Sequence, residues 1–313
     1  MAADMREVDA VIRLRLASSV VMINQIAHYI ISAGGKRIRP MLVLLFSNAL
    51  GFTGRERFEL AATVEFIHTA TLLHDDVVDE SALRRGRATA NALFGNAASV
   101  LVGDFVYSRA FQMMVSVNRL RVLEVLADAT NVIAEGEVLQ LMNMHDPDLS
   151  VTDYLRVIRF KTAKLFEASA RLGAVLAEAG PEVEESCATY GRSLGTAFQL
   201  IDDLLDYEGA TEQLGKNVGD DLREGKPTLP LLLAMERGSA AERESIRRAI
   251  EHGEVARLPE IVEIVRRTGA LAATREAARA EADKAANALD VLPGSTYREA
   301  LLELCFRSVE RSS

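Results

Sequence analysis

Six aspartates form two clusters with the same spacing, Asp-Asp-x-x-Asp. They are Asp75, Asp76 and Asp79 in the first cluster, and Asp202, Asp203 and Asp206 in the second. Both clusters lie within stretches of Leu, Ile and Val that have helical periodicity. Because positions i and i+4 share one face of a helix, the first and last carboxylates of each cluster point the same way and repel each other. A hard divalent cation relieves this repulsion, and Mg²⁺ held by few protein carboxylates together with substrate phosphates fits the pattern best.

Neither a solvated acidic helix face nor a di-iron site accounts well for the aspartates. An acidic face would produce one such cluster, but two copies of one spacing inside apolar sequence argue against it. A carboxylate-bridged di-iron bundle needs Glu-x-x-His motifs on two helices, and the sequence contains only Glu65-x-x-His68. A magnesium and phosphate site is therefore the favoured interpretation.

Positive charge gathers in a few short segments, most of which contain glycine. They are residues 34–40, 84–87, 161–162, 214–216 and 224–227. Glycine lets a backbone approach a phosphate closely, arginine can bind it through two hydrogen bonds, and lysine adds a mobile charge. Arg84 and Arg85 follow Asp79 closely, just past the predicted end of the helix that carries the first cluster. We therefore expect magnesium and arginine to hold one diphosphate together.

The elements that position these residues are predicted to be helices. Apolar residues recur at helical spacing through most of the 313 residues, 49% of the chain is hydrophobic, and only seven residues are Pro. Strand-like alternation is scarce, and no segment has the composition of a linker. The sequence therefore predicts an all-α protein of about ten or more helices, folded as one large bundle and one domain over residues 1–313.

Composition and the N-terminus restrict the partners and the location. No apolar run approaches the roughly 18 residues of a membrane span, and the N-terminus lacks a secretory signal pattern, so a cytoplasmic location is expected. A net charge of −9 argues against a nucleic-acid surface. Cys187 and Cys305 have no CxxC spacing, which makes buried apolar thiols the better interpretation.

Together these motifs resemble the trans-polyprenyl diphosphate synthases, the family of farnesyl, geranylgeranyl and octaprenyl diphosphate synthases. Its two aspartate-rich motifs match residues 75–79 and 202–206, and its GGKRxRP loop matches residues 34–40. The resemblance covers nearly the whole chain, and residues 69–109 look most like the bacterial octaprenyl diphosphate synthases, which make the ubiquinone side chain. It implies an all-α bundle of the isoprenoid synthase type with a central apolar cavity, and a homodimer.

The resemblance also implies roles for individual residues. Asp75, Asp79 and Asp202 are expected to bind magnesium, with Asp76, Asp203 and Asp206 as weaker partners in the same catalytic machinery. Isopentenyl diphosphate would be bound by Lys36, Arg39, His68 and Arg85. The allylic diphosphate would be bound by Arg84, Lys161, Thr162, Gln199, Lys216 and Lys226, of which Lys161 and Lys216 also count as catalytic.

The implied reaction is repeated addition of isopentenyl diphosphate to an allylic primer, with farnesyl diphosphate as the expected primer. The allylic C–O bond ionises to a diphosphate and a carbocation, the isopentenyl double bond attacks the cation, and a proton is lost. Magnesium and the basic residues would stabilise the charge on the departing diphosphate. In the family that diphosphate is thought to remove the proton, so no protein base is assigned.

Small residues before the first cluster predict a long product. Short-chain relatives place a bulky aromatic residue four or five positions before the first aspartate, whereas these positions here hold Thr71 and Ala70. We therefore expect an octaprenyl product for ubiquinone or menaquinone side chains, with heptaprenyl to decaprenyl nearly as compatible. Phe105, Met113 and Met114 are candidates for the floor that ends growth, although ordinary core packing is favoured for them.

Three alternatives have specific sequence features against them. A farnesyl or geranylgeranyl diphosphate synthase is disfavoured by Ala70 and Thr71, and a cyclase would not need the isopentenyl residues Lys36, Arg39 and Arg85. A non-catalytic regulatory subunit would be expected to lack motif aspartates or arginines, and none is missing. Transient contact with a membrane surface is suggested only by the apolar product.

Overall fold

In the computed structural model the protein is described over residues 1–32, 34–84, 86–208 and 219–311. These residues form sixteen α-helices and one two-stranded antiparallel sheet. Helices α1 to α10 are Ala2–Leu16, Val21–Ser32, Ile38–Ala49, Glu56–Val78, Ala90–Phe94, Asn96–Ser116, Leu120–Asn143, Val151–Ile158, Lys164–Leu176 and Pro181–Glu208. Helices α11 to α16 are Asp220–Arg223, Leu229–Arg237, Ala240–His252, Leu258–Arg267, Ala270–Asn287 and Thr296–Glu310. The predicted all-α class is confirmed.

Short irregular elements join some of the helices. A π-helical turn, Arg159–Ala163, connects α8 to α9, and 3₁₀ turns occupy Val255–Arg257 and Ala288–Val291. No helix in the described part of the chain combines the length and apolarity that a bilayer span requires.

The chain divides into two compact units, each assembled from three stretches of sequence. Unit 1 contains Met1–Thr130, Leu165–Gly191 and Ala288–Leu302, and unit 2 contains Asn131–Lys164, Arg192–Asn287 and Glu303–Ser313. The single domain expected over residues 1–313 stays a prediction.

Unit 1 is built around α4, which packs against α6, α3 and α1. The helix begins with Glu56 and Glu59 in its first turn, where carboxylates interact favourably with the positive end of the helix dipole. Apolar side chains on several of its faces are buried, including Phe66 and Ile67 at 0% exposure. A helix buried on several sides is a rigid support, and its last turns carry the first aspartate cluster.

In unit 2 the second half of α10 carries the second aspartate cluster. Leu200, Ile201 and Leu204 lie next to the aspartates in the sequence and are no more than 1% exposed. The aspartates therefore lie on a helix whose apolar side chains fill the core. Elsewhere in this unit α12 packs against α15 and α13.

A β-hairpin follows α4 where the sequence indicated only a basic loop. Strands β1, Leu83–Arg84, and β2, Arg87–Ala88, pair antiparallel, with Leu83 opposite Ala88 and Arg84 opposite Arg87. Gly86 in the turn has a φ of 72°, which glycine adopts without strain. Two-residue strands are too short to produce a recognisable alternation, which is why periodicity did not predict them.

The two cysteines are buried, as their sequence context predicted. Cys187 is 1% exposed and Cys305 is 0% exposed. Burial raises the pKa of the Cys187 thiol to about 12. Both thiols are therefore packed side chains of the core.

Candidate active site

The two aspartate clusters lie on the long helices α4 and α10. Helix α4 ends at Val78 with Asp79 as its C-cap, so the first cluster occupies its last turn, and the second cluster lies within the last two turns of α10 that the structure describes. The unpaired carbonyl groups at the end of α4 are the negative end of its helix dipole. Carboxylates at that end are electrostatically unfavourable by themselves, and a cation bound beside them removes the conflict.

Exposure sorts the six aspartates into two groups. The buried group is Asp76, Asp203 and Asp206, at 0%, 4% and 0% exposure, and the partly exposed group is Asp75, Asp79 and Asp202. A helix turns by about 100° per residue, so adjacent aspartates face different ways. The residues predicted to bind metal are those that an ion from solvent can reach, and this role stays a prediction.

The ligand atoms of the partly exposed aspartates suit a hard divalent ion. These three residues offer carboxylate oxygens only, which Mg²⁺ and Ca²⁺ prefer over nitrogen or sulfur ligands. Within the described ranges, no three His, Cys, Asp or Glu side chains converge on one point as a metal cage. The side chains that would hold an ion in unit 1 are Asp75 and Asp79, and in unit 2 Asp202.

In unit 1 the buried Asp76 side chain anchors the β1–β2 hairpin through Arg84. Arg84 Nε donates a hydrogen bond to Asp76 Oδ1 at 2.7 Å, and Asn91 Nδ2 donates to the Asp76 carbonyl oxygen at 3.0 Å. Burial raises the pKa of Asp76, while the charge of Arg84 lowers it. A guanidinium has five N–H donors, so this contact leaves Arg84 able to bind a phosphate as well.

The base of the hairpin is held from α2. Tyr29 OH donates to the Ala88 carbonyl oxygen at 2.6 Å, and the Arg87 guanidinium lies 4.6 Å from the centre of the Tyr29 ring. Thr89 Oγ1 donates to the Ser81 carbonyl oxygen at 2.7 Å. Arg85, expected to bind isopentenyl diphosphate, lies outside the described residues.

The other residues predicted to bind isopentenyl diphosphate are also in unit 1. Lys36 is exposed, His68 is half-buried on α4, and the half-buried Arg39 guanidinium lies 4.4 Å from the centre of the Phe166 ring. Arg37 Nη1, at the start of α3, pairs with Glu65 Oε1 at 3.0 Å. This ion pair joins the basic loop to α4 and gives Glu65 a structural partner other than a metal.

A chain of hydrogen bonds in unit 2 connects the second cluster to the π-helical turn. Thr162 Oγ1 donates to Gln199 Oε1 at 2.9 Å, and Gln199 Nε2 donates to Asp203 Oδ1 at 2.7 Å. Tyr154 OH donates to Asp203 Oδ2 at 2.5 Å. Burial raises the pKa of Asp203, the nearby charge of Asp221 raises it further, and the hydrogen bond from Tyr154 opposes the shift. The sequence indicated Thr162, Gln199 and Asp203 but not Tyr154.

Lys161 occupies the same π-helical turn, next to Thr162. Lys161 Nζ pairs with Glu137 Oε2 at 2.6 Å. A Cβ on Gly136 would lie only 2.6 Å from the Lys161 backbone nitrogen, so α7 approaches the turn more closely than any other residue type would allow. Wide π-turns occur often at functional sites, and this one presents a lysine and a threonine in succession.

Asp202 has a partner that the sequence did not indicate. Arg311 Nη2 lies 2.7 Å from Asp202 Oδ1, and the guanidinium stacks 3.8 Å from the centre of the Phe198 ring. The Arg311 side chain is 10% exposed. Nothing in the spacing of two residues so far apart in the chain predicts this contact, since only the fold brings the residue that follows the last helix to the second cluster.

Hydrogen bonds to its backbone groups hold the segment that precedes Lys226 in place. Asp221 N donates to Asp206 Oδ2 at 3.1 Å, and Lys226 N donates to the Asp221 carbonyl oxygen at 2.8 Å. Gly225 has a φ of 67°, and the His145 backbone N–H donates to its carbonyl oxygen at 2.7 Å. Buried Asp206 thus supports the segment that presents Lys226. Lys216 lies in a part of the chain that the structure does not describe.

The residues considered for chain-length control lie in unit 1. Ala70 is 0% exposed, and the half-buried Thr71 donates from Oγ1 to the His68 carbonyl oxygen at 2.8 Å. Met113 and Met114 are also 0% exposed, as core packing would require. Their part in length control remains a prediction.

Comparison with known proteins connects this geometry to a family. Residues 20–265 match the sequence pattern of the family described as Polyprenyl synthetase. The chain belongs to the polyprenyl synthetase family. The predicted resemblance is confirmed, and the protein is a prenyltransferase that makes polyprenyl diphosphates.

Three relatives illustrate how much of the molecule the similarity covers. The octaprenyl diphosphate synthase of Escherichia coli strain K12 is 59% identical over 311 residues, which are 99% of this chain and 96% of that protein. A geranyl-diphosphate-specific all-trans-nonaprenyl-diphosphate synthase of Rhodobacter capsulatus is 44% identical over 312 residues, with 99% and 96% covered. A crystal structure of a polyprenyl synthase from Caulobacter crescentus CB15, complexed with calcium and isoprenyl diphosphate, has a TM-score of 0.97 and 50% identity, covering 100% of this chain and 96% of that one. The isoprenoid synthase type of all-α fold is thereby confirmed for this polyprenyl synthetase.

Proposed function

We propose that this polyprenyl synthetase is an octaprenyl diphosphate synthase that extends farnesyl diphosphate with isopentenyl diphosphate units in the presence of Mg²⁺. The observation that carries the proposal is the 59% identity to an octaprenyl diphosphate synthase along 99% of the chain. The apolar product would supply the side chain of ubiquinone or menaquinone. We further propose a cytoplasmic enzyme that works as a homodimer.

The accessible aspartates would bind the ion, and the basic residues would bind the diphosphates. Bound Mg²⁺ supplies positive charge that stabilises the departing diphosphate. In unit 1, Arg84 remains able to donate to a phosphate while Asp76 fixes its position. A crystal structure of a relative holds calcium and isoprenyl diphosphate, which supports a site for a divalent ion and a diphosphate together.

In unit 2 the allylic diphosphate would be bound from the π-helical turn and from Lys226. Lys161 and Thr162 present an ammonium and a hydroxyl in succession, and the close approach of Gly136 fixes the backbone that carries them. Charges placed in advance need no rearrangement when the C–O bond ionises, and such preorganised stabilisation is usually the largest single contribution to catalysis. Apolar side chains around the growing prenyl chain would exclude water from the carbocation.

A small side chain before the first cluster favours a long product over farnesyl or geranylgeranyl diphosphate. Ala70 is fully buried on α4, about one turn before Asp75. An alanine there places a single methyl group where short-chain relatives carry an aromatic ring. On this proposal the growing prenyl tail would pass Ala70 without obstruction.

The direct test is the length of the product. The purified protein is incubated with farnesyl diphosphate, labelled isopentenyl diphosphate and Mg²⁺, and the dephosphorylated products are separated by chain length, with EDTA as the control. A metal-dependent C40 product that shortens in Ala70→Tyr is expected, while Ala49→Tyr, at a buried site on another helix, controls for general damage to the core. A C15 or C20 product from the native protein would contradict the length assignment, and no elongation at all would contradict the activity.

A further inference from the structure

Tyr154 is a buried residue of α8 that meets the second aspartate cluster without belonging to it. It is 4% exposed, and its hydroxyl contacts the carboxylate next to Asp202. We propose that Tyr154 is a positioning residue for the allylic substrate, which acts through Asp203 and Gln199 to fix Thr162 and Lys161 relative to Asp202. This inference rests on the proposed function, because it takes those residues to bind the allylic diphosphate and its metal ion.

Asp203 is held through both of its carboxylate oxygens. Tyr154 OH donates to Oδ2 at 2.5 Å, and Gln199 Nε2 donates to Oδ1 at 2.7 Å. A carboxylate held by two donors in a buried place cannot rotate without leaving one of them unpaired. Asp203 thereby ties α8 to the part of α10 that also carries the accessible Asp202 carboxylate.

The same hydrogen bonds extend to the π-helical turn. Gln199 also accepts a hydrogen bond from Thr162 Oγ1 at 2.9 Å, so its amide joins Thr162 on the turn to Asp203 on α10. Tyr154 lies on α8, which runs directly into that turn. The turn is therefore attached to α10 at two places, once through the tyrosine and once through the glutamine.

Packing alone does not require the Tyr154 hydroxyl. A phenylalanine would fill nearly the same volume, without burying a phenol and a carboxylate together. Buried polar groups of this kind add little net stability, but they define one arrangement of the elements that they connect. At a site that must align a diphosphate, a displacement of about 1 Å can reduce the rate about a hundredfold. The hydroxyl thus fits a role in alignment better than a role in folding.

The test compares Tyr154→Phe with Tyr190→Phe. Tyr190 is a matched control, because its buried hydroxyl donates to the Leu301 carbonyl oxygen at 2.8 Å, a partner that does not belong to this hydrogen-bond chain. Calorimetry with Mg²⁺ and farnesyl S-thiolodiphosphate, an analogue whose C–S bond resists ionisation, measures binding without turnover. Steady-state assays give KM for each substrate separately.

Tyr154→Phe should weaken binding of the analogue by about tenfold and raise KM for farnesyl diphosphate, with KM for isopentenyl diphosphate unchanged. Tyr190→Phe should change neither. In an Asp203→Asn background, Tyr154→Phe should alter the affinity less than twofold, because the hydroxyl acts through that carboxylate.

Equal losses in the two phenylalanine variants, or a loss that adds fully to that of Asp203→Asn, would overturn the inference. So would an unchanged affinity in Tyr154→Phe. A wild-type protein that binds the analogue but does not extend farnesyl diphosphate would overturn the proposed function instead, and the affinity comparison would still decide the role of Tyr154.

Discussion

Removal of the Arg84 guanidinium is expected to destabilise the protein, because it leaves a buried carboxyl without its charged partner. Arg84 Nε lies 2.7 Å from Asp76 Oδ1, and the two side chains are 29% and 0% exposed. Breaking a buried ion pair from one side costs about 3–5 kcal/mol, and the partial exposure of the arginine places this pair near about 3 kcal/mol. At about 2 °C per kcal/mol for a large chain, Arg84→Gln should lower Tm by about 6 °C at pH 8.

This loss should become smaller as the pH falls. Burial raises the pKa of Asp76 and Arg84 opposes the rise, so the pKa climbs further in the variant. A carboxyl with a raised pKa keeps its proton in the native state and loses it in the unfolded state, so stability declines as the pH rises from about 4 through the folded-state pKa. Differential scanning calorimetry in EDTA should therefore show the largest difference from wild type at pH 8 and the smallest near pH 5.

Two further variants make this prediction refutable. Asp76→Asn combined with Arg84→Gln should recover most of the lost Tm at pH 8, because no buried charge remains, although the elongation rate should not recover. Arg87→Gln on the other strand removes a partly exposed contact with the Tyr29 ring and should shift Tm by about 1–2 °C at either pH. Equal losses for Arg84→Gln at pH 5 and pH 8, or no recovery in the double variant, would refute the assignment of Asp76 and Arg84 as a buried pair.

Four other outcomes follow from single contacts or from the burial of the cysteines. Gly136→Ala should reduce kcat/KM for farnesyl diphosphate by about tenfold or more, because its Cβ would lie 2.6 Å from the Lys161 backbone nitrogen, and normal kinetics would contradict that close approach. Arg311→Gln removes the cation 2.7 Å from Asp202, so a thermal-shift titration should reach half-saturation at a lower Mg²⁺ concentration, whereas an unchanged midpoint would count against competition between the arginine and the ion. Burial raises the pKa of Cys187 to about 12, so the native state keeps this proton, and its stability should decline above about pH 9. At pH 8 a thiol reagent should react with neither cysteine before denaturation and with both afterwards, and fast reaction of the native protein would contradict their burial.

Much of the fold and of the candidate site could be predicted from the sequence because the information is local. Helical periodicity predicted the all-α class, and the paired Asp-Asp-x-x-Asp motifs predicted which helix segments carry the chemistry. The basic loop at residues 34–40 and the arginines after the first cluster completed a pattern that identifies the family. Each of these features depends on residues within a few turns of one another, where helix geometry determines which side chains share a face.

The tertiary structure decided which of these side chains are accessible and what holds them. Two adjacent aspartates look alike in sequence, yet Asp76 is buried against Arg84 while Asp75 is partly exposed, because burial depends on the helices that pack around α4. Tyr154 and Arg311 reach the second cluster across 49 and 109 positions of the chain. No local pattern contains such contacts, since the packing of distant helices alone determines which polar side chains meet inside the protein.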